Sequence, residues 1–595
     1  MAFDGITTKA VVSEISTLCG ARIDKVFEPN KNDLILGMYL DGKNYALNIC
    51  IDAQNCRINL TTNQKANPQV APNFCMLLRK NLIGLKLKNI YTLDLERLVI
   101  LEFEGFDDAD DIVTEKLIVE LMGKHSNIIL LDDNNIIIDC LRHIKEDDEK
   151  YRNILPHTKY EFPTTDKLNF LEIKNFEEFK ENIYNSKIKE NINSLNEFQN
   201  FDISTLPTII SEKYNGISKN FIQAIIKKCN IKIIDSSSLE TIYNYIKTII
   251  NNIDTQKLNF EVFTETTSSN KTKKDYFLVL DEISDSNFRL NFFIDDFYYE
   301  KESSEDFKNY QNTLLRLILE TLKKYKTRLN NINKKLEECD DMEKYRLWGE
   351  LITANLYRIP NKNIEEITVE NYYDNNNKLT IKLDKKYLPS INAKRFFKKY
   401  SKLKNALEVV SKQKKETLRE LNYIESIVYE IESSTTIDEL TLIFDEISEN
   451  DIFKERTEKT KQNKKNKIKK SKLTKNKEVS FNPIKYKIGN YTVLVGRNNV
   501  ENDYLTLKYA RKTDLWFHTK DFHGSHTILK IDNNLPYPSQ DILIKVAEIA
   551  AKHSKAKNSS NVPVDYCEVK YVKKPSGSRP GMVIYTNNKT LNVNP

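Results

Sequence analysis

One block near the C-terminal end concentrates side chains that could bind nucleic acid. Residues 495–526 combine Arg, Lys, Asn and His with aromatic residues, in the segments VGRNN, NDYLT, DLWFHTK and HGSH. Aromatic rings stack on bases, and cationic or amide side chains bind phosphates and base edges. This composition therefore favours a nucleic-acid-binding surface.

The same block contains residues that could suggest other chemistry. His518, His523 and His526 lie close together in the sequence, but no Cys and no HExxH spacing accompanies them, whereas a zinc site needs four defined ligands or three and a water. Ser525 follows Gly524 without the GxSxG elbow of hydrolases. We expect no metal, no cofactor and no nucleophilic catalysis here; the histidines are interpreted as donors to RNA, with a structural role still open for His518.

Two polar turns in the N-terminal third are further candidates. Glu96-Arg97 precedes an apolar strand pattern, and Glu120–Asn127 contains Gly123, which permits a positive φ or a close approach. From spacing alone, Glu96 and Arg97 form an ordinary salt-bridged surface pair. An arginine held by a neighbouring carboxylate can also be presented to a base or a phosphate. Both turns are loops carried by rigid elements.

The elements that must position these residues follow from periodicity. The N-terminal region is mixed α/β, with helices predicted over 6–18 and 74–82 and strands over 34–40, 45–49, 98–103 and 127–131. Residues about 176–252 are helical. Gly216-Ile217-Ser218 separates two helical patterns there, which is compatible with a helix-hairpin-helix whose turn presents N–H groups to phosphates, or with a plain helical bundle.

The clearest periodicity lies in the middle of the chain and predicts two long helical arms. Thirty-odd helical residues would reach roughly 45 Å. An antiparallel hairpin with a small β-like module at 367–383 is one interpretation, and dimerisation through one arm is the other. The first seam comprises Leu315, Ile318, Leu322, Tyr325, Leu329, Ile332, Leu336 and Cys339, and the second comprises Tyr400, Leu403, Leu407, Val410, Lys414, Thr417, Leu421, Ile424, Val428 and Ile431.

Charge is distributed unevenly along the 595 residues, whose formal net charge is +6. Residues 459–477 carry ten lysines and no acidic residue, and residues 479–595 carry 17 basic and 9 acidic residues. A basic C-terminal part attached to an acidic body indicates a local contact with a polyanion. The lysine run is predicted to be a flexible linker, and contact with RNA is the alternative to a simple solvated tether.

Composition also predicts the compartment. The eight cysteines form no CxxC pair and are expected to be reduced and buried. The sequence begins MAFDGITTKAVVSEI, without a basic segment followed by an apolar run, and no stretch reaches about eighteen apolar residues. We expect a cytoplasmic protein with no membrane partner.

Several blocks, together and in order, resemble the NFACT family, which includes RqcH and NEMF and whose bacterial members are often labelled fibronectin-binding protein A (FbpA). The match is collinear over nearly the full chain. The NFACT-N resemblance is carried by MAFDGI, NFCMLLRK, LERLVILEF, ELMGKHSNIILLD and RNILP. WGELITANLY, NYYD and NAKRFFKKYSKLK resemble the coiled-coil region and middle module. VGRNNVENDYLTLK, DLWFHTKDFHGSH, AAKHSKAKNSSNVPVDY and VKKPSGSRPGMVIY resemble the NFACT-R RNA-binding domain.

This resemblance implies a multidomain α+β protein whose long antiparallel coiled-coil hairpin carries the small middle module. The implied segments are an NFACT-N α/β domain at 1–175, a helix-hairpin-helix-like helical domain with a strand-containing extension at 176–300, coiled-coil arm 1 at 301–346, the middle module at 347–391, coiled-coil arm 2 at 392–453, a basic linker at 454–478 and a C-terminal α/β NFACT-R domain at 479–595.

The function implied by the resemblance is that of a ribosome-associated quality-control factor. Such a factor binds the 50S subunit (23S rRNA) that still holds a peptidyl-tRNA nascent-chain complex, recruits alanyl-tRNA (tRNA-Ala) and promotes untemplated C-terminal alanine tailing, which marks the chain for degradation. Peptide-bond chemistry belongs to the ribosome, so no enzyme activity is expected. A small S4-like RNA-binding protein is a further implied partner. The alternative function is a cell-surface adhesin that binds fibronectin.

Site residues are carried over by motif position. The family's Asp-Arg pair for tRNA binding falls on Glu96 and Arg97, where a glutamate replaces the aspartate, and its N-terminal aspartate falls on Asp4. The loop associated with large-subunit contact falls on Glu120, Leu121 and Met122, and the RNA-facing residues of NFACT-R fall on Arg497, Trp516, His518 and Lys520. NFACT-N also resembles the N-terminal fold of formamidopyrimidine-DNA glycosylase, whose proline nucleophile is missing from Met1-Ala2-Phe3, so base excision is not expected.

Overall fold

The computed structural model of the protein describes residues 3–106, 111–144, 152–188, 203–255, 257–266, 272–281, 288–360, 362, 364–453, 481–531 and 536–595. The chain divides into two compact units, Met1–Ser303 and Ser304–Pro595. The lysine run at 459–477, predicted to be a linker, lies outside the described residues.

The helices and strands of the two units have the following bounds. The helices are α1 Gly5–Ile15, α2 Asn73–Leu82, α3 Phe176–Ile188, α4 Leu206–Lys213, α5 Lys219–Lys228, α6 Ser236–Asn251, α7 Arg289–Asp340, α8 Met342–Ala354, α9 Pro389–Ser433, α10 Ile437–Glu449, α11 Asn499–Tyr504 and α12 Gln540–Lys552. The strands are β1 Arg22–Asn30, β2 Asp33–Leu40, β3 Lys43–Cys50, β4 Arg57–Leu60, β5 Lys86–Thr92, β6 Leu98–Phe106, β7 Ile112–Glu120, β8 Asn127–Leu131, β9 Ile137–Cys140, β10 Leu258–Thr266, β11 Thr272–Leu280, β12 Glu366–Asn371, β13 Asn377–Lys382, β14 Ile484–Ile488, β15 Tyr491–Val495, β16 Leu515–Thr519, β17 Thr527–Leu529, β18 Val562–Glu568, β19 Val572–Lys573, β20 Ile584–Tyr585 and β21 Lys589–Val593.

A nine-stranded antiparallel sheet forms the centre of the first unit, in the order β4-β3-β2-β1-β5-β6-β7-β8-β9. In the hairpin between β2 and β3, Asp41 and Gly42 both have positive φ, at 49° and 79°, as a type I′ turn requires. After β9, Arg142 donates to the Asn32 side chain and to the Ile51 carbonyl at 3.0 and 3.1 Å. The sheet therefore curls far enough for its last strand to reach the turn between β1 and β2.

Helix α1 is buried on nearly all sides. Asp4 caps its N-terminus, and Ile6, Val11 and Ile15 are fully buried in the largest hydrophobic core. The buried residues include the polar Thr8 and Glu14, so the helix lies inside the fold rather than on its surface. Helices α4, α5 and α6 and the β10–β11 hairpin contribute to the same core, so the predicted helical region packs on the N-terminal sheet domain.

The two predicted heptad seams face each other in the second unit. All eight positions of the first seam in α7, and all ten of the second in α9, are buried or half-buried. Gln311 Nε2 donates to the Ile431 carbonyl at 2.7 Å, and Lys326 Nζ lies 3.3 Å from Glu425. The antiparallel hairpin is therefore confirmed, and its arms pair within one chain, whereas the alternative required a second copy.

The middle module lies where the arms end. The β12–β13 hairpin packs with α8 and the start of α9 around Leu351, Ile352 and Ile381. Gly349 approaches the Phe397 ring so closely that a Cβ there would lie 2.9 Å from it. Glycine therefore permits α8 and α9 to meet closely.

The C-terminal domain, residues 481–595, contains a six-stranded sheet in the order β14-β15-β17-β16-β18-β21. Leu515 and Phe517 of the central strand β16 pack into a core with α12. Trp516, between them, points to the opposite face and packs with Leu505 and Ile528. Both faces of β16 are thus covered, as its nearly continuous apolar sequence requires.

Candidate nucleic-acid interface

Asp4 connects α1 to the turn between α4 and α5. Its carboxylate accepts from the Thr7 N–H at 3.0 Å, as an N-cap does, and from the Ser218 N–H at 3.2 Å. Burial raises the pKa of Asp4, and the hydrogen bonds from Thr7 and Ser218 act in the opposite direction. Asp4 is therefore a buried residue that positions a turn, without a surface from which to contact a ligand.

The backbones of Gly5 and Gly216 and the carbonyl of Leu95 meet at one point. The Gly216 carbonyl accepts from the N–H groups of Gly5 and Ile6 at 2.9 and 3.2 Å. A Cβ at Gly216 would lie 2.5 Å from Leu95 Cβ, and the residue has a φ of +73°. Only glycine combines that conformation with that approach, so the α4–α5 turn docks directly beside the loop that carries Glu96 and Arg97.

Glu96 and Arg97 lie between β5 and β6, close to that turn. The Glu96 carboxylate accepts a hydrogen bond from the Asn215 side-chain amide. Burial raises the pKa of Glu96, while Asn215 and the charge of Arg97 lower it. The structure therefore brings Asp4, Glu96 and Arg97 together around residues 215–218, and gives Glu96 a hydrogen-bond partner that sequence spacing did not predict.

The α4–α5 turn uses its own N–H groups within the protein. Gly216 N–H donates to Asn215 Oδ1 at 2.9 Å, and Ser218 N–H donates to Asp4. Ser218 also caps α5 by accepting from Phe221 N–H at 3.1 Å. In this structure, Gly216 and Ser218 therefore do not offer N–H groups to phosphates as a helix-hairpin-helix would, and the turn serves to hold Asp4 and Glu96.

Glu120 is the last residue of β7 and is buried, with 1% of its surface exposed. Its carboxylate accepts from Arg152 Nη2 at 2.8 Å and from the Tyr160 hydroxyl at 2.7 Å. Leu121 is fully buried, and Met122 is half-buried. The side chains of Glu120 and Leu121 therefore belong to the interior in this structure, and the predicted contact of this loop with the ribosome stays a prediction.

The exposed part of this loop lies just beyond those residues, at Lys124 and His125. Arg142 clamps the loop by donating to the carbonyls of Lys124 and Ser126 at 3.3 and 3.1 Å. The Leu121 N–H donates to the Arg97 carbonyl at 2.8 Å. Loop 121–126 and the Glu96–Arg97 turn thus lie side by side at one end of the sheet, and Lys124 presents a cation beside them.

In the C-terminal domain, Trp516 is completely buried. Its ring stacks on that of half-buried His518, with 5.6 Å between centroids and 5° between planes, and meets Tyr585 at 4.7 Å. Trp516 does not lie on a surface in this structure, since β16 is the central strand and both of its faces are covered, and its predicted role in RNA binding stays a prediction. The aromatic composition that suggested an RNA surface instead forms part of the core.

The histidines of this block are held neutral. Burial lowers the pKa of His518 to about 4 and that of His526 to about 3. His526 Nδ1 lies 2.8 Å from the Thr506 hydroxyl. Their imidazole rings therefore carry no charge near neutral pH and cannot attract phosphates, which supports a structural role for both residues.

Arg497 and Lys520 remain as polar candidates near the surface. Lys520 is exposed, immediately after β16. The Arg497 side chain is one-third exposed, and its Nη1 lies 3.4 Å from Glu439 of α10. Its Nε atom is buried and, within the described parts of the chain, donates to no acceptor.

A possible metal-ligand group occurs away from these residues. The ligand atoms of Asp139, Cys140 and His143 lie within 4.8 Å of one another. Burial raises the pKa of the Cys140 thiol to about 12, so the sulfur is protonated, whereas a metal binds the thiolate. The sequence-based expectation of no metal stays a prediction.

Sequence reasoning missed the residues that hold the candidate site in place. Asn215, Arg152 and Tyr160 each bind a predicted site residue from more than 30 positions away, at separations of 119, 32 and 40 residues. Arg152 begins the motif RNILP, in which no neighbouring residue indicates this contact. Gly216 was the one local signal, because a glycine between two helices indicates a special backbone conformation.

Within the ranges that the structure describes, no helix combines the length and the apolar character needed to cross a membrane.

Comparison with known proteins gives two family matches. Residues 4–467 match the model of the NFACT N-terminal and middle domains, and residues 480–586 match that of the NFACT protein RNA-binding domain. The chain is 31% identical to the "Rqc2 homolog RqcH" of Bacillus subtilis, over 607 aligned residues that cover 100% of this chain and 98% of the relative. It is 30% identical to the protein of the same name from Streptococcus pneumoniae, with coverage of 100% and 98%.

A solved structure with sequence similarity is the C-terminal part of the fibronectin/fibrinogen-binding protein from Streptococcus suis. It is 30% identical and covers 49% of this chain and 95% of that one, with a TM-score of 0.36. The full-length coverage of the two RqcH relatives and the two family models agree with each other and with the order of the elements described above. The chain therefore belongs to the NFACT family.

Proposed function

We propose that this protein is a ribosome quality-control factor that binds 50S subunits obstructed by peptidyl-tRNA, recruits tRNA-Ala as alanyl-tRNA and promotes untemplated alanine tailing of the stalled chain. The observation that carries the proposal is the similarity to RqcH proteins along the whole chain. An RNA-binding domain model matches the C-terminal domain, which supports RNA as a direct partner. The protein contributes binding and positioning, and the ribosome performs the chemistry in the cytoplasm.

The tRNA contact is placed at Arg97. Glu96 is hydrogen-bonded to Asn215, and its backbone N–H donates to the Leu93 carbonyl at 2.8 Å. Glu96 and Asp4 therefore act as positioning residues, which fix the turn from which Arg97 meets the tRNA. The substitution of Asp by Glu is compatible with this role, since the longer side chain reaches Asn215.

The ribosome contact is placed on the exposed side of loop 121–126. Buried Glu120 and Leu121 fix the start of the loop, and Met122 leads into a short turn at Gly123–His125. Arg142 holds two carbonyls of the loop, so Lys124 is presented from a preorganised backbone. A lysine at such a position suits an rRNA phosphate.

The C-terminal domain contributes a second RNA contact. Its 17 basic and 9 acidic residues produce a positive field over 479–595. Lys520 and Arg497 are the two candidates with side chains near the surface. Trp516 and His518 form the core that supports them. A small S4-like RNA-binding protein is a further proposed partner of the complex.

The test is a pull-down of the tagged full-length protein from cells at low salt, followed by sequencing of the recovered RNA. Wild-type protein should enrich 23S rRNA and tRNA-Ala. The Arg97→Ala variant should recover 23S rRNA without tRNA-Ala. The Lys124→Ala variant should recover less of both RNAs, because in this proposal the protein meets the tRNA while it is bound to the ribosome.

Two control substitutions distinguish the loss of a specific RNA contact from the loss of a positive charge. Arg22→Ala removes an exposed arginine from the same sheet, where it pairs with Asp24, and Lys43→Ala removes an exposed lysine from β3. Both should leave the recovered RNA unchanged. Equal loss of tRNA with Arg22→Ala and Arg97→Ala would place the tRNA contact elsewhere, and recovery of no rRNA by the wild type would refute the ribosome proposal.

The fibronectin-adhesin alternative rests on the names of solved relatives whose TM-scores lie below 0.5. Recovery of the protein by protease treatment of intact cells, without lysis, would support that alternative.

A further inference from the structure

The C-terminal domain contacts the coiled-coil region through oppositely charged side chains. Arg579 binds Glu420 of α9 through Nη2 and Nε, at 3.2 and 3.4 Å. Arg497 binds Glu439 of α10 at 3.4 Å. In both pairs the arginine lies on the C-terminal domain and the glutamate on the coiled-coil side, so each carboxylate occupies a place that an anion could take.

Two more polar contacts follow the same surface. His523 Nε2 lies 3.6 Å from Glu425, and Asn499 Nδ2 donates to Ser426 Oγ at 3.2 Å. Burial lowers the pKa of His523, so near neutral pH this contact involves an uncharged ring. The two arginines therefore supply the charge of this surface, which we name the arm-facing surface: Arg497, Asn499, His523 and Arg579.

Charge along the chain matches this arrangement. Residues 420–449 of α9 and α10 carry nine acidic residues and no basic one, and the C-terminal segment 479–595 has 17 basic and 9 acidic residues. Glu430 and Glu446 are buried, and the other carboxylates of this run present negative charge on a helical surface, as a nucleic-acid backbone does. The arm-facing surface is thus covered by the part of the chain that most resembles a polyanion.

The contact is loosely made. Its arginine–carboxylate distances of 3.2–3.4 Å exceed the roughly 2.7–2.9 Å of strong charge-assisted hydrogen bonds. Cavities of about 470 and 210 Å³ lie between α9 and the C-terminal domain, whereas permanent interfaces are packed like protein interiors. Arg497 Nε is buried and unsatisfied in the described parts of the chain. The ion pairs of this contact can therefore separate at modest cost, while Met582 of the C-terminal domain also packs against the core of the arms.

We propose that the arm-facing surface binds RNA phosphates and that Glu420 and Glu439 occupy its arginines in the free protein, so that RNA and the arm compete for them. This rests on the proposed function, in which the C-terminal domain binds RNA. The competition weakens binding to RNA at large until a correct target supplies enough phosphate contacts to displace the arm.

The first experiment measures binding of a fluorescein-labelled oligouridine to the full-length protein by anisotropy at low salt. The two ion pairs are half-buried and partly screened by solvent, so each is worth about 0.2–1 kcal/mol, and Glu420→Gln with Glu439→Gln should tighten binding by about twofold to thirtyfold. Glutamine at 439 can still accept from the N–H groups of Thr435 and Thr436, so the cap of α10 is kept.

The matched control is Glu408→Gln with Glu432→Gln. Both glutamates are exposed on α9, and the double substitution changes net charge by the same amount. It should alter affinity by less than about twofold. An equal gain in both double variants would overturn the proposal, because the effect would then be one of overall charge.

Removal of the arginines tests the surface itself. Arg497→Ala with Arg579→Ala should weaken oligouridine binding and lower the slope of log affinity against log salt by about 1–2. Unchanged affinity and slope would overturn the proposal while leaving RNA binding by the protein intact. If neither the wild type nor any variant binds the probe, RNA binding by this domain fails, and the proposed function fails with it.

Chemical footprinting of carboxyl groups tests the competition between the arm and RNA without a measurement of affinity. With the probe bound, Glu420 and Glu439 should become more reactive to carbodiimide labelling, while Glu408 and Glu432 keep their reactivity. A fall or no change at Glu420 and Glu439 would mean that the arm stays in place when RNA binds, which contradicts the competition.

Discussion

Substitution of Gly216 by alanine should detach the α4–α5 turn from α1. An L-residue in the left-handed region costs about 1–2 kcal/mol. The new Cβ would lie 2.5 Å from Leu95 Cβ and 3.0 Å from Leu95 C, so the turn must move. That movement breaks the two hydrogen bonds from Gly5 and Ile6 to the Gly216 carbonyl, each worth about 0.5–1.5 kcal/mol. The local loss is therefore about 2–5 kcal/mol.

Hydrogen exchange measured by mass spectrometry reports on this loss directly. If the N-terminus of α1 opens more easily by 2–5 kcal/mol, protection of the Ile6 and Thr7 amides should fall by about 30-fold to several thousand-fold. Recruitment of tRNA should fall as well, because Asn215 moves away from Glu96. The proposed association with 23S rRNA, which we assign to loop 121–126, should persist.

Gly42→Ala is the control. Gly42 has a φ of +79°, but a Cβ there would meet no atom within 4 Å. It therefore carries the same conformational penalty, about 1–2 kcal/mol, without the collision. If Gly216→Ala cost no more than Gly42→Ala, the close approach to Leu95 would have no energetic importance, and the account of how the site is held would be wrong.

The remaining predictions concern the core, a buried carboxylate and pH. Ile318→Ala, at a fully buried seam position, should cost about 2–4 kcal/mol in thermal denaturation, and exposed Leu319→Ala under about 0.5; equal values would mean that the arms are not packed. Glu120→Ala leaves the partly hydrated Arg152 without its carboxylate partner and should cost about 2–3 kcal/mol, against under about 0.5 for half-exposed Glu104→Ala. Burial raises the pKa of Glu446 to about 7, so its contribution is present below about pH 4.5 and is lost as pH rises through 7. Melting temperature should fall over that range, and Glu446→Gln should flatten the fall; an unchanged slope would show that another group titrates.

Elements with a sustained pattern were predictable from the sequence. The seams that contain Ile318 and Ile424 are buried as predicted, because the heptad spacing of apolar residues identifies the face of the helix that packs. Strands such as β6 and β8 followed from short apolar runs. Each of these features depends on residues close together in the chain.

Long-range partners could not be predicted in the same way. The residue that binds Glu96 is 119 positions away, and the arginine that binds Glu120 is 32 away. Without knowledge of these partners, both glutamates would be predicted to lie on the surface. The burial of Trp516 could not be predicted for a related reason: a strand of aromatic and apolar residues looks the same whether one face is covered or two, and only the order of strands in the sheet decides.

The position of Trp516 makes the protein its own optical probe. The chain has two tryptophans, Trp348 and Trp516, and Trp516 lines the cavity of about 210 Å³ between α9 and the C-terminal domain. In a Trp348→Phe variant, indole emission would arise from that cavity alone, since the first unit contains no tryptophan. Displacement of the arm would admit water to the indole and shift its emission to longer wavelength, so release of the arm could be timed by stopped flow without any attached dye.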